Sequence, residues 1–230
     1  MQYGTVVPGI FLSRPNRFIA HVEMDGETHI CHVKNTGRCK ELLIPGRTVY
    51  LEQSQNPNRK TAYSLIAVDK DGLLVNMDSA APNKVLAEAL QNGLSLPHMG
   101  QIIHIKGEAG YGNSRFDFYL EDDAGKTAYV EVKGVTLFQD MDAFFPDAPT
   151  QRGVKHLYEL EKAVQDGHNA YIIFIAQAKD IRQVSPNDVT HPAFGDALRA
   201  VSQSGVIPLG YNCFATPNSL VLKTSIPIIL

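Results

Sequence analysis

The stretch Ala128-Tyr129-Val130-Glu131-Val132-Lys133-Gly134-Val135-Thr136-Leu137 decides how the second half of the chain is read. Val130, Val132 and Val135 suit a strand, but charged groups such as Glu131 and Lys133 resist burial unless they are paired. Strand side chains point to alternate faces, so Val130 and Val132 take one face while Glu131 and Lys133 share the other. Upstream, Arg115-Phe116-Asp117-Phe118-Tyr119-Leu120 follows the same rule. Phe116, Phe118 and Leu120 are expected to face a core, with Asp117 opposite, beside Arg115 and Tyr119. The short polar turn Asp122-Asp123-Ala124-Gly125-Lys126 separates the two runs. A hairpin here would bring Asp117 near Glu131, with Lys133 beside them.

Two carboxylates at close range repel each other unless a cation sits between them. Such oxygen ligands suit Mg²⁺ or Mn²⁺. A bound divalent ion can polarise a phosphoryl oxygen and lower the pKa of an attacking water, and a neighbouring lysine can stabilise the developing charge. Acid, then acid-x-lysine, therefore fits metal-assisted phosphodiester hydrolysis. The competing reading is a surface hairpin with an ordinary Glu–Lys pair. Glu88, on a helix expected over 82–93, is a candidate third ligand, although a solvated helix charge is the simpler reading. Asp140, Asp142 and Asp147 crowd the segment after the lysine strand, as outer groups of the same site or as loop acids.

Working toward the N-terminus, the pattern changes near Pro82, and a domain boundary is expected at 78–82, dividing residues 1–80 from 81–230. The first part reads as short strands. RFIAHVEM and ETHICHV flank Asp25-Gly26, a strong hairpin signal. TVYLEQ, YSLIAV and LLVNM follow, separated by turn residues. Five or so strands in so short a stretch suggest a small barrel, of which the oligonucleotide-binding type is one candidate and a purely structural barrel another. No flexible linker separates the parts, so they are expected to pack together.

Working toward the C-terminus, a helix is expected over 151–167, with Val154, Leu157, Tyr158, Glu161 and Val164 on its apolar rows and Thr150 as N-cap. NAYIIFIAQ reads as a strand buried on both faces. PAFGDALRAVSQSG reads as a helix, and VIPLGYNC and SLVLKTS as strands. Strands and helices alternating after residue 82 indicate an α/β domain with a mixed sheet. The basic opening of the 151–167 helix, Arg152, Lys155 and His156, is mildly unfavourable for the helix itself and points to a phosphate. Arg14, Arg17, Arg38, Lys40 and Arg47, with Tyr3 and Phe18 nearby, are candidates for a groove that tracks a nucleic-acid backbone while an aromatic stacks a base.

The 230 residues are 44% hydrophobic, a globular composition with room for one large or two small cores. Net charge is −3, which disfavours a general nucleic-acid coat protein. The distribution is uneven: residues 1–60 hold eight Lys or Arg against five Asp or Glu, and residues 61–230 hold thirteen against nineteen. The N-terminus has no secretory pattern, and no apolar run approaches the roughly 20 residues of a membrane span. Cys31, Cys39 and Cys213 match no zinc spacing and are too few and scattered for a disulfide framework, so a reducing cytoplasm is expected.

Several motifs in order, RPNRFIAHV (14–22), HVKNTGRCKELLIPG (32–46), SRFDFYL (114–120), YVEVKGVTL (129–137) and FPDAPTQRGVKHLYEL (145–160), give the chain a wider likeness. Over nearly its full length it resembles the sugar fermentation stimulation protein family. That resemblance implies an N-terminal oligonucleotide-binding-type barrel joined to a restriction-nuclease-like α/β domain. It implies DNA binding, a link to the regulation of sugar and particularly maltose metabolism, and a signature of Asp followed by Asp/Glu-x-Lys. Carried over, Asp117 is the first acid, Glu131 the second and Lys133 the lysine. Glu88 matches the assisting helix acid, and Arg152, Lys155 and His156 match a stretch that would face nucleic acid. One departure is local: Arg38-Cys39 and Lys40 stand where other members carry Ser-Met or Ala-Met, making this loop more basic. Three readings stand: a DNA-binding regulator, an active Mg²⁺-dependent nuclease, and a structural or metabolite-binding protein outside nucleic-acid chemistry.

Overall fold

The computed structural model describes residues 1–35, 37–112 and 114–230. Thr36, in the motif turn 35–37, lies outside the described residues. Strands β1 (Val6–Asn16), β2 (Ile19–Met24), β3 (Glu27–Val33), β4 (Thr48–Gln53) and β5 (Tyr63–Lys70) close into a five-strand barrel, and β6 (Leu73–Asn76) extends it from β5. Closure comes from a parallel contact, His32↔Ser64 and Val33↔Leu65. Asp25 and Gly26 join β2 to β3 with φ of 52° and 81°, the left-handed pair that a tight hairpin turn requires.

The expected strand set needs one correction. β1, which pairs with both β2 and β4, is a barrel strand that the sequence reading did not assign, and 73–76 is an extension of the barrel. Pro8 and Gly9 interrupt β1's alternation, and proline argues against a paired strand. Pro8 nevertheless sits opposite Tyr50 in the ladder.

The remainder runs α1 (Ala81–Gln91), β7 (Ile102–Tyr111), β8 (Ser114–Asp122), β9 (Thr127–Val135), β10 (Leu137–Gln139), β11 (Asp142–Phe145), α2 (Gln151–Gln165), β12 (Asn169–Ala176), β13 (Gln183–Pro186), α3 (Pro192–Gln203), β14 (Ile207–Thr216) and β15 (Ser219–Ile226). The main sheet has the order β15-β14-β12-β9-β8-β7. Its centre, β9, β12 and β14, is parallel, and the flanking strands are antiparallel. β10, β11 and β13 form a small side sheet that the sequence reading left out. Strands of three or four residues carry too little alternation to stand out.

The sheet is covered on both faces. Ala81, Val85, Leu86 and Leu90 of α1 pack with Val130, Val132, Tyr171 and Ile173. Leu157, Leu160, Phe194 and Leu198 of α2 and α3 pack with Ile172 and Phe174. β12 thus alternates between two cores, which explains its unbroken apolar sequence. Thr150 caps α2 by accepting from the Gly153 N–H at 3.0 Å. The buried row of α2 is Gly153, His156, Leu157, Leu160 and Ala163, and Tyr158 is exposed, so the helix is rotated from the expected face.

Barrel and α/β residues belong to one continuous apolar cluster. A polar seam stitches the same junction. Gln177 Nε2 donates to Asn76 Oδ1 and to the Asp78 carbonyl, both at 3.0 Å, and Asn76 Nδ2 donates to the Tyr3 hydroxyl at 2.9 Å. Among the described residues no helix is long and apolar enough to cross a membrane. Cys31, Cys39 and Cys213 are free and buried.

Candidate active site

The site is a fork in the main sheet. β8 and β9 pair from Glu121↔Thr127 to Phe118↔Val130 and then separate. At the parting, Asp117 Oδ2 accepts the Val132 N–H at 2.7 Å, so a carboxylate takes the place of a ladder carbonyl. β8 also turns over here. Phe118 belongs to the α1-side core, but Phe116 packs against Tyr129 and His156 on the α2 side. The expected shared face of Phe116, Phe118 and Leu120 is therefore corrected. Glu108, beside Asp117 in the neighbouring strand, adopts φ 53°, so both strands of the hairpin bend together.

β9 continues past the fork, held on its other side by β12 through Ile172↔Glu131 and Phe174↔Lys133. Glu131 is only 5% exposed. Its Oε1 accepts from Lys133 Nζ at 2.5 Å and from His156 Nδ1 at 2.6 Å. Arg152 Nε donates to His156 Nε2 at 3.3 Å. That nitrogen must then be an acceptor, which places the imidazole proton on Nδ1, facing Glu131. On the α1 side, Asn83 Nδ2 donates to Asp117 Oδ1 at 2.7 Å.

The two carboxylates sit in opposed electrostatic settings. Burial, followed by repulsion from Glu131, pushes the Asp117 carboxyl above its ordinary range. Burial works the same way on Glu131, but His156 and Lys133 together outweigh it and hold that carboxyl below its ordinary range. A divalent cation relieves the first situation, and the hard oxygens of the pair fit Mg²⁺ or Mn²⁺. Among the described residues no three His, Cys, Asp or Glu side chains converge as a ready metal cage. Two carboxylates, with water and substrate completing the shell, match the habit of Mg²⁺.

This asymmetry predicts opposite responses to two isosteric changes in metal-free buffer. Asp117→Asn is expected to stabilise the protein at neutral pH, because it removes an opposed buried charge while its oxygen keeps the Val132 N–H and the Asn83 amide turns to accept from the new Nδ2. Glu131→Gln is expected to cost about 2–3 kcal/mol, because Lys133 loses its ion partner and His156 its carboxylate. The sign with pH follows. Folded Asp117 binds its proton more tightly than the unfolded chain does, so the Asp117→Asn gain shrinks as pH falls through the raised value. Stability from Glu131 is present above the ordinary carboxylate range and is lost as pH falls through its depressed value. Thermal melts of both variants across pH 4–8 measure this, and a shared sign of effect at pH 7 would refute the asymmetry.

Glu88 does not join Asp117 and Glu131. Its carboxylate takes the Met1 ammonium at 2.5 Å, and that ammonium also donates to Leu220 O in β15. β15 lies four strands from β8, about 19 Å at normal spacing. The α1 residue that reaches the acids is Asn83, in the first turn. Sequence reasoning missed it because a neutral amide raises no metal-ligand signal.

Three basic side chains expected to contact nucleic acid are built into the protein. Arg14 donates to four carbonyls, those of Gly37, Arg38, Arg17 and Asn35, at 2.7–2.9 Å. It folds the basic loop and is not free for phosphate. Buried His156 supports Glu131 and does not face solvent. Arg47 is likewise structural, donating to the carbonyls of Glu41 and Leu42 and pairing with Asp71. Arg17, Arg38 and Lys40 are exposed and line one cavity of about 610 Å³ with Phe11, Leu43 and Pro45. Arg17 lies 4.8 Å over the Phe18 ring. Arg152 and Lys155 are exposed on the first turn of α2.

Comparison with known proteins agrees with this architecture. Residues 12–77 match the family model described as SfsA N-terminal OB domain, and residues 80–219 match the sugar fermentation stimulation protein RE domain. The chain is 54% identical over 220 residues to a sugar fermentation stimulation protein homolog of Desulfitobacterium hafniense strain Y51, covering 96% of this chain and 94% of the relative. A homolog from Ruminiclostridium cellulolyticum is 49% identical, covering 99% of each. A solved structure of Pyrococcus furiosus SfsA in complex with Ca²⁺ superposes with a TM-score of 0.90 at 28% identity, over 100% of this chain and 98% of that one. A barrel of oligonucleotide-binding type, a mixed α/β domain and matches along nearly the whole length lead to one conclusion: the chain belongs to the sugar fermentation stimulation protein family.

Proposed function

We propose that the protein is a DNA-binding, divalent-metal-dependent phosphodiesterase of the cytoplasm. In this reading residues 1–80 form the nucleic-acid-binding barrel and residues 81–230 the nuclease-like domain. The observation that carries it is the fork, where Asp117 caps the parted ladder and Glu131 holds Lys133 at 2.5 Å. Asp117 and Glu131 would hold Mg²⁺ or Mn²⁺, and the Ca²⁺ complex of the Pyrococcus furiosus relative supports a divalent ion in this family. When bound, the ion supplies Lewis-acid polarisation of a phosphoryl oxygen and a more acidic water. Lys133 places a positive charge where the phosphate gains negative charge, and His156 and Arg152 fix Glu131 from behind. Exposed Arg17, Arg38, Lys40, Arg152 and Lys155 hold the DNA backbone. The three free, buried cysteines support a reducing compartment.

A second reading, a DNA-binding regulator of sugar or maltose metabolism that does not cut, draws on the relatives' shared description. One contact favours it: the Lys133 ammonium already neutralises Glu131. Incubating the protein with single- and double-stranded DNA in Mg²⁺, Mn²⁺ or EDTA separates the two. Cleavage confined to the metal-containing reactions is expected. Binding without cleavage in any of them would leave the regulator. With about five phosphate contacts, log affinity is expected to fall with log salt at a slope of about −4. No DNA binding at low salt would remove both readings.

A further inference from the structure

A polar cavity of about 250 Å³ opens where the barrel meets the end of β9, with Asn35, Ser79, Thr136, Phe144, Asp147 and Gln177 among its walls. Gly134, the residue after Lys133, also lines it, so the cavity adjoins the proposed active site along one strand. A Cβ at Gly134 would lie 2.5 Å from Gln177 Oε1, so only glycine lets that amide take its place. On the barrel side, a Cβ at Gly37 would lie 3.0 Å from Asp147 Oδ2. The two domains close around this space.

Among the described residues the polar side-chain atoms left available to a ligand are mostly acceptors, the Thr136 hydroxyl alone being able to donate as well. Gln177 is 1% exposed, and its Nε2 is occupied within the seam, while its Oε1 accepts from no described residue. Both ends of the Asn35 amide are engaged, Nδ2 by the Met77 carbonyl and Oδ1 by the Gly37 N–H. Ser79 donates to the Lys34 carbonyl and keeps its lone pairs. Asp147 forms no ion pair among the described residues. Half-buried Phe144 adds an apolar wall.

A cavity in which acceptors outnumber donors favours a ligand rich in donors. The volume lies below the roughly 300–1,000 Å³ of drug-sized pockets, room for one heterocycle and not for a base pair. Among nucleobases, guanine alone presents two adjacent donors on its pairing edge, N1–H and the N2 amino group. A carboxylate accepts such parallel donors in two charge-assisted bonds. Adenine and cytosine offer one amino donor beside an acceptor, which a carboxylate repels.

We propose that this cavity reads an unstacked guanine beside the bound phosphodiester, with Asp147 accepting from N1–H and the N2 amino group and Gln177 Oε1 deeper in the cavity. The proposal rests on the nucleic-acid reading above but not on catalysis. The base must leave its stack, which is least costly in single strands.

The test uses the full chain in EDTA and short single-stranded oligonucleotides, thymine runs with one central guanine, adenine or inosine, followed by fluorescence anisotropy. The guanine oligomer is expected to bind about tenfold more tightly than the adenine oligomer. Inosine, which lacks the 2-amino group, is expected to fall between them. Asp147→Asn is expected to reduce the preference to about twofold or less, with unchanged melting temperature and unchanged affinity for plain thymine runs. Equal binding of all oligomers, or a preference that survives Asp147→Asn, would overturn the proposal. DNA cleavage without a guanine preference would overturn it too and leave the phosphodiesterase standing. A guanine preference without cleavage would support the cavity and remove only the catalytic reading.

Discussion

Lys133→Ala is expected to slow metal-dependent DNA cleavage about a thousandfold while changing DNA affinity by less than about threefold. The lysine stands at the end of the parted ladder, 16% exposed at its side chain, with its ammonium 2.5 Å from Glu131. In the proposed reading a donor held there acts on charge that appears only as the phosphodiester breaks, so its loss should lower kcat and spare ground-state binding. In the same reading binding falls to Arg17, Arg38 and Lys40 on the barrel and to Arg152 and Lys155 on α2, none of which the substitution touches. Folding should lose about 2–3 kcal/mol, because buried Glu131 keeps its bond to His156 but loses its cation, so both quantities are read well below the melting transition. Lys133→Arg is not expected to rescue the rate, since a planar guanidinium cannot stand in for a compact ammonium. Single-turnover cleavage and DNA-binding isotherms on the same preparation measure both quantities. A rate within tenfold of wild type would deny Lys133 its role.

Phe174→Ala is expected to cost about 3–5 kcal/mol of folding stability, the largest such effect considered, and to lower the melting temperature by roughly 10 °C. Phe174 is 1% exposed and lies opposite Lys133 in the parallel ladder between β12 and β9. Its ring meets Phe145 edge-on at 5.5 Å and packs in the cluster that holds Leu157 and Leu160 of α2. Strands on one side and a helix on the other leave the cavity no easy way to collapse, which puts the cost in the upper part of the range. The same ring supports the strand that carries Glu131 and Lys133, so catalysis should weaken even at temperatures where the variant stays folded. Urea unfolding followed by circular dichroism measures the loss, and a value under about 1 kcal/mol would show that α2 can close over the gap.

Much of this was legible in the chain. Alternation in 128–137 separates Val130 and Val132 from Glu131 and Lys133, and the structure keeps that separation. Asp25-Gly26 and Thr150 behave as their local chemistry requires. The misses share a cause: each depends on how one element meets another. The turning over of β8 at Asp117 needs both strands of a hairpin to bend, and Glu108 carries no mark of a left-handed conformation. Glu88 was the visible acid of α1, but the helix meets β9 through its first turn, where a Cβ on Gly134 would touch Pro82, and this brings Asn83 to Asp117. His156 could have been recognised, because it lies on one helical row with Gly153, Leu157 and Leu160, and a polar group on a buried row asks for a partner. Arg14 could not, because only the folded loop gathers four carbonyls around one guanidinium.

The bond from the Val132 amide to Asp117 has a consequence for the main chain itself. Ordinary sheet amides are anchored to carbonyls, whose charge never changes. This one is anchored to a carboxylate whose proton affinity is raised by burial and by Glu131. The backbone of β9 is thus tied at Val132, a position that contributes no functional side chain, to the charge of a carboxylate rather than to a fixed peptide dipole.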